Sequence, residues 1–258
     1  MTFALPHVDT DLSGKVALVT GAAGALGSRF AATLASCGAA VALADVRTEH
    51  LGRVQSELDA AGAGCMAVRL DLRAVDQLSD IVQQVESTLG VVDILVNNAG
   101  INDAGRPHKM PLDLMSRVIA TNLQGPFALS CEVAKRMIAA QRSGRIVNIS
   151  SMAAYSYNDK TASPLYSITK AAVARMTEVL AVEWARFHIN VNAIAPGLFW
   201  SEMTEGMVAR IGDPSPTLPR GRIGYPAQLD SALLFLVGTG SECVTGTVIK
   251  VDDGQKPR

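Results

Sequence analysis

The sequence predicts an α/β protein in which a single doubly wound parallel sheet of about seven strands carries helices on both faces. Three observations lead there. Short β-rich runs alternate with longer stretches of helical period along the whole chain of 258 residues. The runs are mostly apolar on both faces, as strands must be when helices cover both sides of a sheet. No internal repeat, low-complexity segment or linker divides the chain, so residues 1–258 are expected to form one domain.

In order, the strands are VALVT (16–20), AVALAD (40–45), CMAVRL (65–70), DILVN (93–97), RIVNIS (145–150), NVNAIA (190–195) and TVIKV (247–251). The intervening stretches are rich in Ala, Leu and Glu, with long helices expected around 111–140 and 164–187. One region is irregular. In residues 198–224 prolines at 214, 216 and 219 limit helix, while Gly206, Gly212 and Gly221 give places to bend. It leaves the sixth strand at the edge where ligands bind in such folds, which predicts a substrate lid at about 198–222.

Composition narrows the function. Hydrophobic residues make up 48% and charged residues 18%, the balance of a globular protein with an extensive core. A net charge of −1 argues against a nucleic-acid partner, which requires a basic face. No apolar run reaches membrane-spanning length, and the N-terminus lacks a charged n-region and cleavage site, so a cytoplasmic protein without a membrane partner is expected. The four cysteines and four histidines are scattered without metal-ligand spacing, so neither a disulfide framework nor a metal is expected.

The first strand runs directly into TGAAGALG, Thr20 to Gly27, and then into a helix. Glycine there permits a tight turn and lets a pyrophosphate approach the amides of the helix N-terminus, and Gly21 and Gly27 fit those needs. An ordinary strand-to-helix turn favours glycine as well, but Asp45 ends the second strand 18 residues after Gly27. A carboxylate there accepts hydrogen bonds from the adenosine ribose hydroxyls and repels a 2′-phosphate. With Ala22 and Ala23 where a cation could attract that phosphate, the reading is a Rossmann-like dinucleotide site that favours NAD over NADP.

YSITK, Tyr166 to Lys170, precedes the helical run AAVARMTEVLAVEWA. Residues four apart share a helix face, and such a pair alone is common as surface packing. Its context is specific. TGAAGALG, NNAG (97–100), the serine of NISS (148–151), YSITK and NAIAPG (192–197) occur in the order of the short-chain dehydrogenase/reductase family, which this chain resembles from LSGKVALVTG to TGTVIKVDDG.

The resemblance implies a cofactor site built from Gly21, Gly24, Leu26, Gly27, Asp45, Asp71, Leu72, Asn98, Ala99, Gly100, Tyr166, Lys170, Pro196, Gly197 and Ser201. The family's middle glycine position holds Ala25, with Gly24 one residue earlier. Asp71 matches the adenine-contacting aspartate, with a helix N-cap as its bland alternative. Asn98, Ala99 and Gly100 match the turn past the ribose, whereas Asn97 is expected to brace the sheet. Ser201 stands where the family often has threonine, near the nicotinamide carboxamide.

The resemblance also implies a catalytic set of Asn122, Ser151, Tyr166 and Lys170. A free tyrosine has a pKa near ~10 and is a poor base unless positive charge stabilises the phenolate. Lys170, one turn on, is expected to supply that charge and to bind the nicotinamide ribose, with Tyr166 as general acid/base. Ser151 would hold the substrate oxygen. Asn122 would anchor a water linking Lys170 to solvent, or else satisfy a backbone bend inside a helix.

Ser151 and Tyr166 lie fifteen residues apart, a longer loop than the family commonly has and one that resembles some of its polyol dehydrogenases. Tyr155, Tyr157, Asn158 and Lys160 on that loop fit substrate contact and surface solvation equally. The expected function is therefore NAD-dependent interconversion of a secondary alcohol and a ketone, first on a sugar or polyol, on the loop and on polar Asn102, Asp103 and Asn158. The runner-up is a hydrophobic ketone or 3-oxoacyl thioester, on Phe199, Trp200, Met203 and Met207, which fit a lid's packing face equally. A non-catalytic nucleotide-responsive protein is the alternative of a different class, against which the filled catalytic set argues. The resemblance further implies a homotetramer, with Ala171, Ala172 and Ala174 on a helix that either meets another subunit or packs on the sheet.

Overall fold

The computed structural model describes residues 10–102, 105–157 and 162–255. Seven parallel strands form one sheet: β1 (Val16–Thr20), β2 (Ala40–Asp45), β3 (Cys65–Arg69), β4 (Ile94–Asn97), β5 (Gly144–Ile149), β6 (Ile189–Pro196) and β7 (Val248–Val251). Their order is β3-β2-β1-β4-β5-β6-β7. Leu18 lies opposite Ala42 on one side and Leu95 on the other, so β1 is central and the order reverses between it and β4. Such a reversal opens a crevice at the carboxyl ends of the strands.

The sheet is buried on both faces because alternate residues feed two cores. Ala17, Val19, Val41 and Leu43 pack with Phe30, Leu34, Leu51 and Leu233. These come from α1 (Ala25–Ser36), α2 (Thr48–Ala60) and α8 (Asp230–Val237). Leu18, Ala42, Leu95 and Ile146 pack with Val82, Leu129, Val133 and Leu180 on the other face. These come from α3 (Leu78–Leu89), α5 (Gly125–Ala139) and α6 (Pro164–Trp184).

The long helix expected around 111–140 is two helices in line. α4 (Leu112–Ile119) passes through a π-helical turn, Ala120–Gln124, into α5. Pro126 explains part of this: an unbroken α-helix would drive its ring into the carbonyl four residues back, and a wider turn relieves the clash. Asn122, inside that turn, binds the backbone of Ile101. On α6, Ala174 is buried toward the sheet, whereas Ala171 is exposed and Ala172 partly so.

The irregular region holds α7 (Glu202–Ile211) and closes at a narrow neck, where Trp200 N–H donates to the Gly224 carbonyl (2.8 Å) and Gly224 N–H to that of Leu198 (3.0 Å). The C-terminal residues fasten both ends of it. Gln255 accepts from Leu198 N–H (2.6 Å), and Asp253 pairs with Arg222 (2.8 Å) and Arg220 (3.1 Å). Among the described residues no helix is long and apolar enough to cross a membrane.

Candidate active site

A cavity of about 900 Å³ opens at the carboxyl ends of β1, β2, β4, β5 and β6. At its floor the turn after β1 is tightly built. Gly21 has φ +67°, and a Cβ there would come within 2.8 Å of Asn98 Nδ2 and 2.9 Å of the Ala99 backbone. A Cβ on Gly27 would strike the Gly21 carbonyl oxygen. Both positions therefore require glycine. Gly24 is different: it is the N-cap of α1, offers no side-chain cap, and α1 has no acidic residue in its first turn. The α1 N-terminus, with Leu26 and Gly27 lining the cavity, is thus fit for an anionic group.

Thr20, which sequence reasoning passed over, ties this turn to β4. Its Oγ1 accepts from Asn98 N–H and Ala99 N–H, both at 3.1 Å. Asn98 is a brace as well, since its Nδ2 donates to the Thr20 carbonyl (2.9 Å). Asn97 spans the sheet and α5, donating to Asn148 Oδ1 (2.8 Å) and Ser130 Oγ (2.9 Å).

Asp45 faces the cavity from the end of β2, accepting from Ala23 N–H (3.1 Å) and Arg47 N–H (2.9 Å). Sequence reasoning looked for a cation at 22 and 23 and missed the one at 47. The Arg47 guanidinium lies 3.5 Å from Asp45 Oδ1 and pairs with Glu202 at 2.7 Å. A basic residue two positions past the β2 carboxylate was the signal. Asp71 lies beyond the end of β3 and is not a helix N-cap, for the next helical turn begins after Ala74. Its carboxylate is held by Arg73, whose side-chain hydrogen bonds lower its pKa to about 2. Leu72, buried beside it, also lines the cavity.

The four residues expected to act together are brought together. Tyr166, on the first turn of α6, shares a side-chain hydrogen bond with Ser151. Ser151 Oγ also accepts from Ala153 N–H (3.1 Å) at the start of a short helical turn. Ser150 is turned away: its hydroxyl donates to the Lys170 carbonyl (2.8 Å), which ties the end of β5 to α6. Lys170 is 4% exposed, with Nζ 5.6 Å from the Tyr166 ring centre and donating to the Ile149 carbonyl (2.7 Å). Two N–H donors remain on that ammonium. Asn122 Oδ1 accepts from Ile101 N–H (2.8 Å), while its Nδ2 donates to the Ile101 carbonyl (2.9 Å) and to Thr169 Oγ1 (3.2 Å). The two side chains converge at Gly100, where a Cβ would lie 3.4 Å from Lys170 Nζ and 3.5 Å from Asn122 Oδ1.

Burial dominates the electrostatics. It pushes the Tyr166 phenol above its ordinary range, which the Ser151 hydrogen bond offsets only in part. It lowers the Lys170 ammonium to about 8. Lys170 therefore remains charged at neutral pH, but its charge does not outweigh the burial of Tyr166.

At the far end, Pro196 closes β6 beside Val251, and Gly197 N–H donates to the Val251 carbonyl (2.9 Å). Gly197 is glycine because a Cβ would collide with Gln255 and Asp252 of the C-terminal segment. Ser201 caps α7, accepting from Thr204 N–H (3.3 Å), and lines the cavity. Asn102, Tyr157, Phe199, Met203 and Met207 line it too, and Phe199 is also buried in the core against Gly224. Tyr155 is not part of the lining, and its ring lies under Lys250 Nζ (4.4 Å). Asp103, Asn158 and Lys160 lie outside the described residues.

Known proteins share this arrangement. A family model described as short chain dehydrogenase matches residues 15–211. The NAD-dependent glycerol dehydrogenase of Listeria innocua is 32% identical over 256 residues, covering 98% of either chain. A short-chain type dehydrogenase/reductase from Mycobacterium marinum superposes with a TM-score of 0.93 at 33% identity, covering 97% of this chain and 98% of its own. A gluconate 5-dehydrogenase from Burkholderia cenocepacia, in complex with NADP and tartrate, does so with a TM-score of 0.89 at 31% identity, covering 96% and 97%. A parallel seven-stranded sheet, a glycine turn at its switch point and these matches along nearly the whole chain agree: the protein belongs to the short-chain dehydrogenase family.

Proposed function

We propose that the protein is an NAD(H)-dependent oxidoreductase that interconverts a secondary alcohol and a ketone, with a sugar or polyol as its substrate. The observation that carries this reading is the Ser151–Tyr166 hydrogen bond beside buried Lys170, in the same cavity as the glycine turn and Asp45. The residues fit a dinucleotide: the α1 N-terminus can take a pyrophosphate, Asp45 the adenosine ribose, and the two remaining Lys170 donors the nicotinamide ribose. Asp71, Leu72, Asn98, Ala99 and Gly100 line the passage between, and Pro196, Gly197 and Ser201 the nicotinamide end. When bound, the nicotinamide supplies the hydride acceptor or donor.

The side chains do the rest. Tyr166 Oη takes the proton from the alcohol or returns it to the ketone oxygen, and Ser151 Oγ holds that oxygen where charge develops. Lys170 favours the phenolate, and Asn122 fixes the Ile101 backbone beside it. Residues 198–222 act as the lid, with Ser201 and α7 over the cavity.

NAD is chosen on Asp45 and on the name of the Listeria relative. The polyol class is chosen on the same relative and on the polar lining at Asn102. A hydrophobic ketone or 3-oxoacyl thioester is the second reading, favoured by Met203, Met207 and Leu218 in the lining. The working form is a homotetramer, supported by an apolar depression across the π-helical turn, α5 and α6 formed by Leu123, Phe127, Ala172, Met176 and Val179.

The test is Tyr166→Phe, which keeps the ring and deletes the hydroxyl. In a screen of polyols, secondary alcohols and acyl thioesters with both nucleotides, its kcat should fall by roughly two to four orders of magnitude, with NAD affinity little changed. A near-normal kcat would overturn the mechanism. Nucleotide binding without turnover of any substrate by the wild type would favour the non-catalytic alternative.

A further inference from the structure

Among the described residues five buried side-chain atoms have no hydrogen-bonding partner: Glu86 Oε1, Asn97 Oδ1, Asn102 Oδ1, Arg145 Nε and Ser156 Oγ. A buried polar atom left unpaired costs about 1–3 kcal/mol, so each needs an explanation. Asn102 and Ser156 line the catalytic cavity, and the other three residues do not.

Their positions are as telling as their lack of partners. Asn102 follows Gly100 by two residues, and Gly100 is where Lys170 and Asn122 meet. Ser156 follows Ser151 by five residues and is anchored by its own N–H, which donates to the Met152 carbonyl (3.1 Å). The two thus line the same cavity from separate connections, one after β4 and one after β5.

We propose that Asn102 Oδ1 and Ser156 Oγ read the hydroxyls on the carbons flanking the reacting one, so that the enzyme requires a vicinal polyol. This rests on the dehydrogenase reading above and deepens it. An amide oxygen only accepts, so its missing partner is a donor such as a hydroxyl. A serine hydroxyl both donates and accepts and can pair with a second one. A 3-oxoacyl thioester or simple ketone has no hydroxyl beside its carbonyl and would leave Asn102 Oδ1 buried and unpaired in the complex. Sites built to bond a substrate hydroxyl reject the analogue lacking it strongly, for this reason.

Glycerol and isopropanol share one carbon skeleton and differ only in the two flanking hydroxyls. The experiment compares kcat/KM for both, with saturating nucleotide, in the wild type, Asn102→Ala and Ser156→Ala, with folding checked by thermal unfolding and nucleotide binding by fluorescence. The expected result is that the wild type favours glycerol and that each variant lowers the glycerol-to-isopropanol ratio by about tenfold or more. Equal wild-type efficiencies, or ratios unmoved in both variants, would overturn this inference while leaving a working dehydrogenase. A wild type that turns over no alcohol or ketone with either nucleotide would overturn the dehydrogenase reading and this inference together.

Discussion

Arg47 Nη1 donates to both carboxylate oxygens of Glu202, at 2.9 and 2.7 Å, and both residues line the nucleotide cavity. Arg47 stands at the end of β2 beside Asp45, and Glu202 in the first turn of α7. The pair therefore joins the end of β2 to α7 across the cavity. Both side chains are partly exposed, so the pair itself contributes little, of order 0–1 kcal/mol. Its interest is competitive. Arg47 is a cation beside Asp45, and Glu202 holds it.

Cofactor preference should follow from that competition. The wild type should use NAD better than NADP, and Asp45→Ala should narrow the difference by removing the carboxylate that repels the phosphate. Glu202→Gln should lower the KM for NADP by roughly threefold to tenfold and leave that for NAD little changed, because the freed guanidinium can make charge-assisted bonds to phosphate. Steady-state kinetics with both nucleotides measure this. Equal wild-type efficiencies would refute the NAD assignment, and an unchanged KM for NADP in Glu202→Gln would refute the role of the pair.

Much of this was legible in the sequence, for identifiable reasons. Strand alternation is enforced locally, so every strand and the position of the glycine turn could be read from the order of apolar runs. Gly21 and Gly27 were legible because backbone clashes dictate them. The choice of Ser151 over Ser150 was readable only as spacing, and the structure gives its cause in the Ser150 bond to the Lys170 carbonyl. What escaped was set by contacts between distant segments. Gly197 answers to Gln255 and Arg47 to Glu202, and Ser156, unlike Asn102, was not singled out because nothing in the sequence shows that its hydroxyl lacks a partner. No local pattern encodes such relations.

Assembly can be tested at the exposed apolar face. Ile119, Phe127 and Val179 are 42%, 48% and 49% exposed around one depression, a larger apolar surface than scattered single residues make. Phe127→Glu and Val179→Glu together should reduce the mass seen by light scattering from that of a tetramer to a smaller species, because like charges would face one another across a symmetric interface. A wild type with the mass of a monomer at assay concentrations would contradict the tetramer.

The last prediction concerns the cost of keeping Lys170 in place. Its ammonium is 4% exposed and has a pKa of about 8 instead of 10.5. The unfolded chain therefore holds a proton that the folded protein releases between those values, so wild-type stability should rise with pH through that window. Below pH 8 the full penalty of burying the charge is present, and at ~1.4 kcal/mol per pKa unit it amounts to about 3 kcal/mol. Lys170→Met removes the charge and keeps much of the packing, but leaves the Ile149 carbonyl without its donor, at a cost of about 1 kcal/mol. The variant should then be more stable than the wild type by about 2 kcal/mol at pH 7, lose that advantage as the pH approaches 10.5, and have lost its turnover. Denaturant unfolding of both proteins at pH 7 and at pH 10 measures the difference. A variant less stable than the wild type at pH 7, or a gap that does not close with rising pH, would show that Lys170 is held without this strain.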